Sequence, residues 1–275
     1  MSKQFETFGE TIKRLRKERK MTQKMLAQGI CAQSVLSRIE NGVEVPNVIV
    51  LQSICQRLNV TLDQVLHSES DEIQRIKFLF SQVHYHLIHQ EYQKMEELLK
   101  SSHLIDHLYL DTDFQLYYYY LGSCEYFLYQ SYDASIQSLK KGLSYTYNKG
   151  KKNISPIEIQ LLSCLGRVFG DAGNIEKAEF YLKTSYELIE LLPGELTRFE
   201  LTKAFYNYGS FLFQMKQYDQ ALEVSEQGIL WAQQRRSYYY LEELFSLSGL
   251  ICQKMHLVEE SKEYLKLSTY VSKIR

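Results

Sequence analysis

Residues 22–42, TQKMLAQGICAQSVLSRIENG, predict two short helices joined by a tight turn. Thr22 is suited to cap the first helix, which we expect to run to about Ile30, because a threonine hydroxyl can accept a hydrogen bond from the first helical turn. The second helix is predicted over residues 33–41, and Gly42 supplies its C-terminal stop. Helical spacing assigns the inward-facing side chains to Met25, Leu26, Ile30, Val35, Leu36 and Ile39.

The segments on either side complete a predicted domain at residues 1–66. An amphipathic first helix begins at Phe8, with Ile12 and Leu15 on its apolar side and a basic exposed side. After Pro46, a fourth helix is predicted over residues 48–58 and a short fifth over residues 61–66. Short helices in this number with a basic face are typical of a helix-turn-helix domain.

The motifs in this region make a family resemblance specific. They are Ile12-Lys13-Arg14-Leu15-Arg16, Thr22-Gln23 with Leu26-Ala27, SRIENG at residues 37–42, Pro46, and Leu58-Asn59-Val60. With them, residues 8–66 resemble the phage-repressor (XRE/Cro) class of five-helix helix-turn-helix domain. The turn between the second and third helices is one residue shorter than in phage repressors, and residues 30–40, ICAQSVLSRIE, are similar to the PlcR and Rgg type of peptide-responsive regulator.

Polar residues on the second and third helices are suited to contact DNA. Glutamine amides pair well with adenine, and arginine pairs with guanine or with phosphate, while a helix start can point N–H groups at phosphate. The predicted DNA-binding residues are Gln23, Lys24, Gln33, Ser34, Ser37, Arg38 and Asn41. The resemblance further implies that Arg16 and Glu40 form a structural ion pair between the first and third helices.

The charge of the chain is divided unevenly between this front and the rest. The 275 residues carry 32 Lys or Arg and 33 Asp or Glu, a net charge of −1. Residues 1–66 have a net charge of +4 and the remainder −5. This division suits a small DNA-binding head carried by a larger body. We place a linker at residues 67–72, which are polar, and the body at residues 73–275.

The body contains internal repeats marked by small residues. Glycines recur 44, 43 and 40 residues apart, at Gly122, Gly166, Gly209 and Gly249. Nine or ten residues after each glycine stands an aromatic or aliphatic residue, namely Tyr132, Ile175, Tyr218 and Val258. A second small residue follows three positions later, at Ser135, Ala178, Ala221 and Ser261. A degenerate earlier copy has Val83, Tyr92 and Met95 in these three positions.

This pattern places a small residue where two helices cross, and it resembles the tetratricopeptide repeat. The period is longer than the roughly 34 residues usual for that repeat, which means longer helices or loops. Because a helix pair cannot bury its apolar face alone, the pairs must stack on their neighbours. We therefore expect an all-α protein whose body is an α-solenoid of about five helix pairs, with the first helix of each pair on the concave side.

The concave side is where a ligand would lie. Amides can bond the backbone of an extended peptide, aromatic rings can hold its side chains, and Lys or Arg can take its C-terminal carboxylate. Counted from the glycines, the predicted peptide-binding residues are Tyr119, Tyr126, Gln160, Arg167, Lys203, Tyr206, Asn207, Ser210, Gln214 and Gln253. Repeat domains of the resembled kind often clamp a peptide main chain with an asparagine at the position of Asn207. The alternative for Asn207 is that it caps or bridges neighbouring helices.

Nothing in the sequence supports catalysis, a metal or another cofactor. His84, His86 and His89 are spaced so that a helix would scatter them around its circumference. His103 and His107 have helical spacing but no accompanying HExxH motif. The five cysteines are widely spaced and read as small buried apolar residues. No window approaches the roughly 20 apolar residues of a membrane span, so we expect a cytoplasmic protein that is not an enzyme.

Both halves together resemble the RNPP group of quorum-sensing regulators (Rgg, Rap, NprR, PlcR and PrgX). The resemblance implies a homodimeric transcription regulator that binds an approximately palindromic operator in double-stranded DNA and is controlled by a short signalling peptide. One alternative is constitutive DNA binding by a regulator whose groove holds a partner protein. Another is modulation of a phosphatase, as in the Rap proteins, but those lack a DNA-reading front.

Overall fold

The computed structural model describes residues 7–66, 71–101, 103–148, 150–151, 153–194 and 198–274. Within those ranges the chain is helical and contains no β-strand, and none of their helices has the length and apolarity needed to cross a membrane. The chain forms two compact units, Met1–Leu79 and Phe80–Arg275. Of the predicted linker, residues 67–70 lie outside the described residues, and Asp71 and Glu72 belong to a helix.

The first unit holds the head, which is built from five short helices. They are α1 (Phe8–Glu18), α2 (Gln23–Ala27), α3 (Gln33–Glu40), α4 (Val48–Leu58) and α5 (Leu62–Leu66). Thr22 caps α2 by accepting a hydrogen bond from the backbone of Met25, and Gly42 follows α3 with a positive φ of 70°. The fully buried side chains of its core are Ile12, Leu26, Leu36, Ile39, Ile54, Leu58 and Val65.

Two details of α2 differ from the sequence prediction. The helix ends at Ala27 instead of near Ile30, because Gln28 already has an extended backbone. The prediction that Met25 faces inward is wrong, since its side chain is 51% exposed. In a helix this short, Leu26 and Ala27 alone supply the buried contact with the core.

The body begins with α6, which crosses the division between the units, and continues as consecutive helix pairs. The helices are α6 (Asp71–Ile88), α7 (Tyr92–Ser101), α8 (Asp111–Tyr129), α9 (Tyr132–Leu143), α10 (Pro156–Asp171), α11 (Ile175–Glu190), α12 (Thr202–Gln214), α13 (Tyr218–Gln234), α14 (Leu241–Lys254) and α15 (Val258–Ser272). Short 3-10 turns lie at Leu104–His107 and Phe199–Leu201. The second helix of each pair begins at the aromatic or aliphatic residue that follows the repeat glycine. This confirms the predicted repeat architecture.

The repeat glycines bring the two helices of a pair into close contact. A methyl group added at Gly122 would lie 2.7 Å from Leu139, and one at Gly249 would lie 2.7 Å from Leu265. In both pairs the second small residue completes the contact, because the hydroxyls of Ser135 and Ser261 each donate a 2.8 Å hydrogen bond to the glycine carbonyl. The first helices of successive pairs also contact one another, α8 with α10, α10 with α12 and α12 with α14. They form an inner layer.

The close contact between helices predicts that one added methyl group destabilises the body at Gly166 but not at Gly170. At Gly166 the new carbon would lie 2.5 Å from Leu182 Cγ and 2.9 Å from the Leu182 backbone nitrogen, so Gly166→Ala should destabilise the body by about 1–3 kcal/mol. At Gly170, one turn later in α10, the nearest atom is the Ala178 methyl at 3.5 Å. Gly170→Ala should therefore be neutral or stabilising by a few tenths of a kcal/mol or more, since alanine favours helix. Chemical denaturation of the two variants checks this, and equal midpoints would contradict it.

Candidate functional site

A buried ion pair ties the head together. The Arg16 guanidinium donates to both carboxylate oxygens of Glu40, with N···O distances of 2.6 and 2.9 Å, and also to the Met21 carbonyl at 2.8 Å. Glu40 is 1% exposed and Arg16 8%. Burial alone would raise the pKa of Glu40, but hydrogen bonds from Arg16 and Gln23 and the nearby charges of Arg16 and Lys13 outweigh it, so this pKa is lowered. The pair joins α1 to α3.

Hydrogen bonds extend from this ion pair to the leading end of α3. The Gln23 amide nitrogen donates to Glu40 at 2.9 Å, and the Gln33 amide nitrogen donates to the Gln23 oxygen at 2.7 Å. Gln33 is the first residue of α3 and is exposed. Its amide is therefore held in position from within the core before any ligand arrives, which reduces the cost of ordering it.

The predicted DNA-binding residues extend along α2 and α3, from Gln23 at the start of α2 to Asn41, which caps the C-terminal end of α3. Exposed side chains are Lys24, Gln33, Ser34, Arg38 and Asn41, and Gln23 and Ser37 are half-buried. Asn41 accepts a 3.2 Å hydrogen bond from Lys13. Arg38 forms a 2.6 Å ion pair with Glu44, which lies in the loop after α3. The Glu44 carboxylate is therefore already paired with Arg38, the arginine of α3 that is best placed to contact an anion.

The Arg38–Glu44 pair predicts a variant with tighter DNA binding. Glu44→Gln frees Arg38 and removes a negative charge from the surface near α3, so affinity for duplex DNA should rise about two- to tenfold at fixed salt. Glu18→Gln is the matched control, because Glu18 forms a similarly exposed ion pair with Arg14 on α1 and the change in net charge is the same. Fluorescence anisotropy with a duplex selected from a randomised pool measures both. Equal affinities of the two variants would contradict the role of Glu44.

The structure divides the predicted peptide-binding residues between the surface and the interior of the body. Tyr119, Lys203 and Asn207 are buried, at 1%, 5% and 3% exposure. Half-buried side chains are Tyr126, Gln160, Arg167, Tyr206 and Ser210, and exposed ones are Gln214 and Gln253. The ten side chains therefore differ in exposure, and whether they contact a peptide stays a prediction.

Tyr119 and Lys203 belong to a cluster that we call the aromatic interior, which also contains Tyr92, Tyr240 and Phe127, which is 38% exposed. The Lys203 ammonium lies 5.9 Å from the ring centre of Tyr119, 5.1 Å from Phe127 and 5.8 Å from Tyr240. Tyr92 stacks on Phe127 with ring centres 4.2 Å apart. Burial raises the pKa of both Tyr119 and Tyr240, so these phenols stay neutral.

Polar contacts beside the aromatic interior join neighbouring repeats. The Asn207 amide nitrogen donates to the Ser163 hydroxyl at 2.9 Å, which bridges α12 to α10, as in the alternative considered for this residue. Arg167 donates to the Tyr126 hydroxyl at 3.2 Å and pairs with Asp171 at 3.0 Å. Burial raises the pKa of Tyr126 to about 12.

Contacts across the concave side join the start of the body to its end, and we call them the clasp. The Gln90 amide donates to Glu243 at 2.8 Å, although 153 residues separate the two in sequence. His84 in α6 lies 3.4 Å from a carboxylate oxygen of Glu200, in the 3-10 turn before α12. Burial alone would raise the pKa of Glu200, but the hydrogen bond and charge of His84 contribute to a net lowering.

The cavities described on the concave side are small. Two cavities lie there, one at Lys203 and one at Gln214, and each measures about 10 Å³. That is room for about one water molecule, whereas sites for small ligands occupy roughly 300–1,000 Å³. Neither of these two cavities is large enough to hold an extended peptide.

Sequence reasoning missed Tyr92, Tyr240 and Glu200 as part of this site. Tyr240 precedes α14 with a positive φ of 59°, and Glu200 lies in a 3-10 turn, so a register counted along regular helices from the glycines passes over both. The run of tyrosines at residues 238–240 was the signal that could have drawn attention to Tyr240. Among the described residues, no group of His, Cys, Asp or Glu is arranged to hold a metal ion.

The fold and these two sites define the class of the protein. Residues 12–65 match the family model described as helix-turn-helix, and residues 202–235, which contain α12 and α13, match the tetratricopeptide repeat model. The chain has a helix-turn-helix head and a body of tetratricopeptide-like repeats. No match was found among the curated proteins.

Solved structures share this fold over nearly the whole chain. PlcR from Bacillus thuringiensis in complex with the peptide PapR7 and DNA is 23% identical, with a TM-score of 0.79 over 98% of this chain and 95% of that chain. Apo PlcR is 21% identical, with a TM-score of 0.63 over 94% and 92%. ComR from S. thermophilus, in complex with DNA and its signalling peptide ComS, is 16% identical, with a TM-score of 0.55 over 98% and 94%. The predicted likeness to peptide-responsive regulators is confirmed for the fold.

Proposed function

We propose that this protein is a sequence-specific transcription regulator that is controlled by a short signalling peptide bound on the concave side of its body. Residues 1–66 act as the DNA-binding domain and residues 73–275 as the domain for peptide binding and dimerisation. The observation that supports this best is the fold shared with PlcR, which was solved with a peptide and DNA bound together.

In the head, α3 is the element that enters the major groove. Gln33 and Arg38 read base edges or phosphates, and Gln23, Lys24, Ser34, Ser37 and Asn41 complete the contact. A single head offers few contacts, so tight and specific binding requires a homodimer on an approximately palindromic operator. Its half-sites would be about 34 Å apart, one turn of the double helix.

In the body, an extended peptide replaces the contacts that now fill the concave side. Access requires the clasp to open, because the cavities present hold about one water molecule each. The peptide then meets amides at Asn207, Gln160, Gln214 and Gln253, and it meets the tyrosines and cations of the inner helices. The peptide binds the opened body better than the closed body, so its binding shifts the equilibrium of the dimer toward the opened form. In that form the two heads are placed differently, which changes their fit to the operator half-sites.

The DNA half of this proposal is tested by selecting duplexes from a randomised pool with the full-length protein. Gln33→Ala and Arg38→Ala should each lower affinity for the enriched duplex by about 1–3 kcal/mol at fixed salt, because each removes a contact to a base edge or phosphate. Lys183→Ala is the control for lost positive charge, since Lys183 is exposed in the body. If both head variants bind like Lys183→Ala, α3 is not the recognition helix.

The peptide half is tested by native mass spectrometry of the protein purified from its own culture. The expected spectrum contains a complex with a short peptide, and adding that peptide fraction to peptide-free protein should change its affinity for the selected duplex. A spectrum that contains only the free chain or a folded partner, together with an affinity that the fraction leaves unchanged, would contradict peptide control.

A further inference from the structure

The aromatic interior contains a buried positive charge, on Lys203, that is not paired with an anion among the described residues. Lys203 is 5% exposed, and its ammonium group makes no hydrogen bond to any other described residue. The remaining buried charged side chains of the described residues all have partners: Arg16 with Glu40, Glu158 with Lys151 at 2.7 Å, and Glu96 with Lys100 at 2.9 Å. The chain thus neutralises its other buried charges and leaves this one without an anion.

A buried ammonium without an anion is costly, and the rings around it compensate only in part. Moving a charge out of water is unfavourable unless a counter-charge and hydrogen-bond acceptors replace the water. The faces of Tyr119, Phe127 and Tyr240 attract the cation, but they accept no conventional hydrogen bond from its three N–H groups. The N–H groups of the Lys203 ammonium are therefore available to donate hydrogen bonds to a negatively charged acceptor.

The cavity at Lys203 is arranged to receive such a group. Its wall includes Lys203, Arg167, Ser123 and Asn207, and it contains no Asp or Glu. Asp171, the acid that contacts Arg167, forms an ion pair with it. The surrounding apolar surface comes from Phe127, Leu139 and Val168. Cationic and neutral donors among apolar groups favour a small planar anion attached to an apolar neighbour.

We propose that Lys203 binds a carboxylate of the peptide ligand and is the main determinant of its specificity. The inference rests on the proposed peptide-binding function and adds the chemistry of the ligand: a carboxylate next to an apolar or aromatic side chain. The carboxylate displaces the aromatic rings as the partner of the ammonium. Because the pair forms away from water, a neutral carboxamide in the same place leaves the charge uncompensated and is rejected.

A peptide has two sources of carboxylate, its C-terminus and its Asp or Glu side chains, and the test separates them. The probes are three pools of short randomised peptides. The first has free C-termini and no Asp or Glu, the second has amidated C-termini and no Asp or Glu, and the third has amidated C-termini with Asp and Glu included. Each is incubated with the full-length protein, and the retained peptides are counted by mass spectrometry after gel filtration.

The variants are Lys203→Met, which keeps an unbranched apolar side chain one atom shorter and removes the charge, and Lys183→Met, which removes an exposed lysine of the same body. Wild type and Lys183→Met should retain the first or the third pool on the order of tenfold more than the second. Retention of the first pool identifies the terminal carboxylate, and retention of the third identifies a side chain. Lys203→Met should lose the preference for acid over amide.

Thermal unfolding of Lys203→Met shows whether the variant is folded. Removing a buried unpaired charge should leave its melting temperature unchanged or higher than that of the wild type. If Lys203→Met is unstable, Lys203→Arg replaces it, and a preserved acid preference is then the expected result. Equal retention of all three pools by the wild type would overturn the role of Lys203 and leave peptide binding intact. Retention of none of the pools would overturn both.

Discussion

The close crossing of helices at the repeat glycines is the constraint on which the body depends. Gly122, Gly166, Gly209 and Gly249 each place a helix backbone against the side chain of its partner helix. Such a contact sets the spacing within a pair, and the pairs then set the spacing of the inner helices that stack on one another. Aromatic side chains of those inner helices pack partly against the second helices, as Phe169 does against Tyr181, and partly into the aromatic interior.

The aromatic interior contains features that do not increase the stability of the fold, above all a buried lysine without an anionic partner among the described residues. The ammonium of Lys203 is buried and has no anionic partner in the part of the chain that the structure describes, and the cavity beside it has room for about one water molecule. The clasp between Gln90 and Glu243 holds the first and last helix pairs of the body together across the same space. Functional sites are where proteins tolerate such costs, because a ligand that relieves them gains affinity and selectivity.

Sequence periodicity was sufficient to predict the helix-turn-helix head, the repeat glycines and the start of every second helix. These features depend on local spacing, which a sequence displays directly. It did not predict that α2 would end at Ala27, that Met25 would be exposed, or that Glu44 would pair with Arg38. Those outcomes depend on backbone angles in short turns. The clasp and the aromatic interior depend on how small rotations add up over several helix pairs, which no single repeat encodes.

The claim that a peptide displaces contacts of the aromatic interior is tested most directly by cross-linking the clasp so that it cannot open. Cysteines introduced by Gln90→Cys and Glu243→Cys can be joined by a short bismaleimide, in a Cys31→Ser background because the other native cysteines are buried. Retention of free-acid and acidic peptide pools is then measured by mass spectrometry before and after cross-linking. The account predicts that the cross-linked protein retains no peptide above background while the unlinked protein does. Equal retention by the two forms would contradict it.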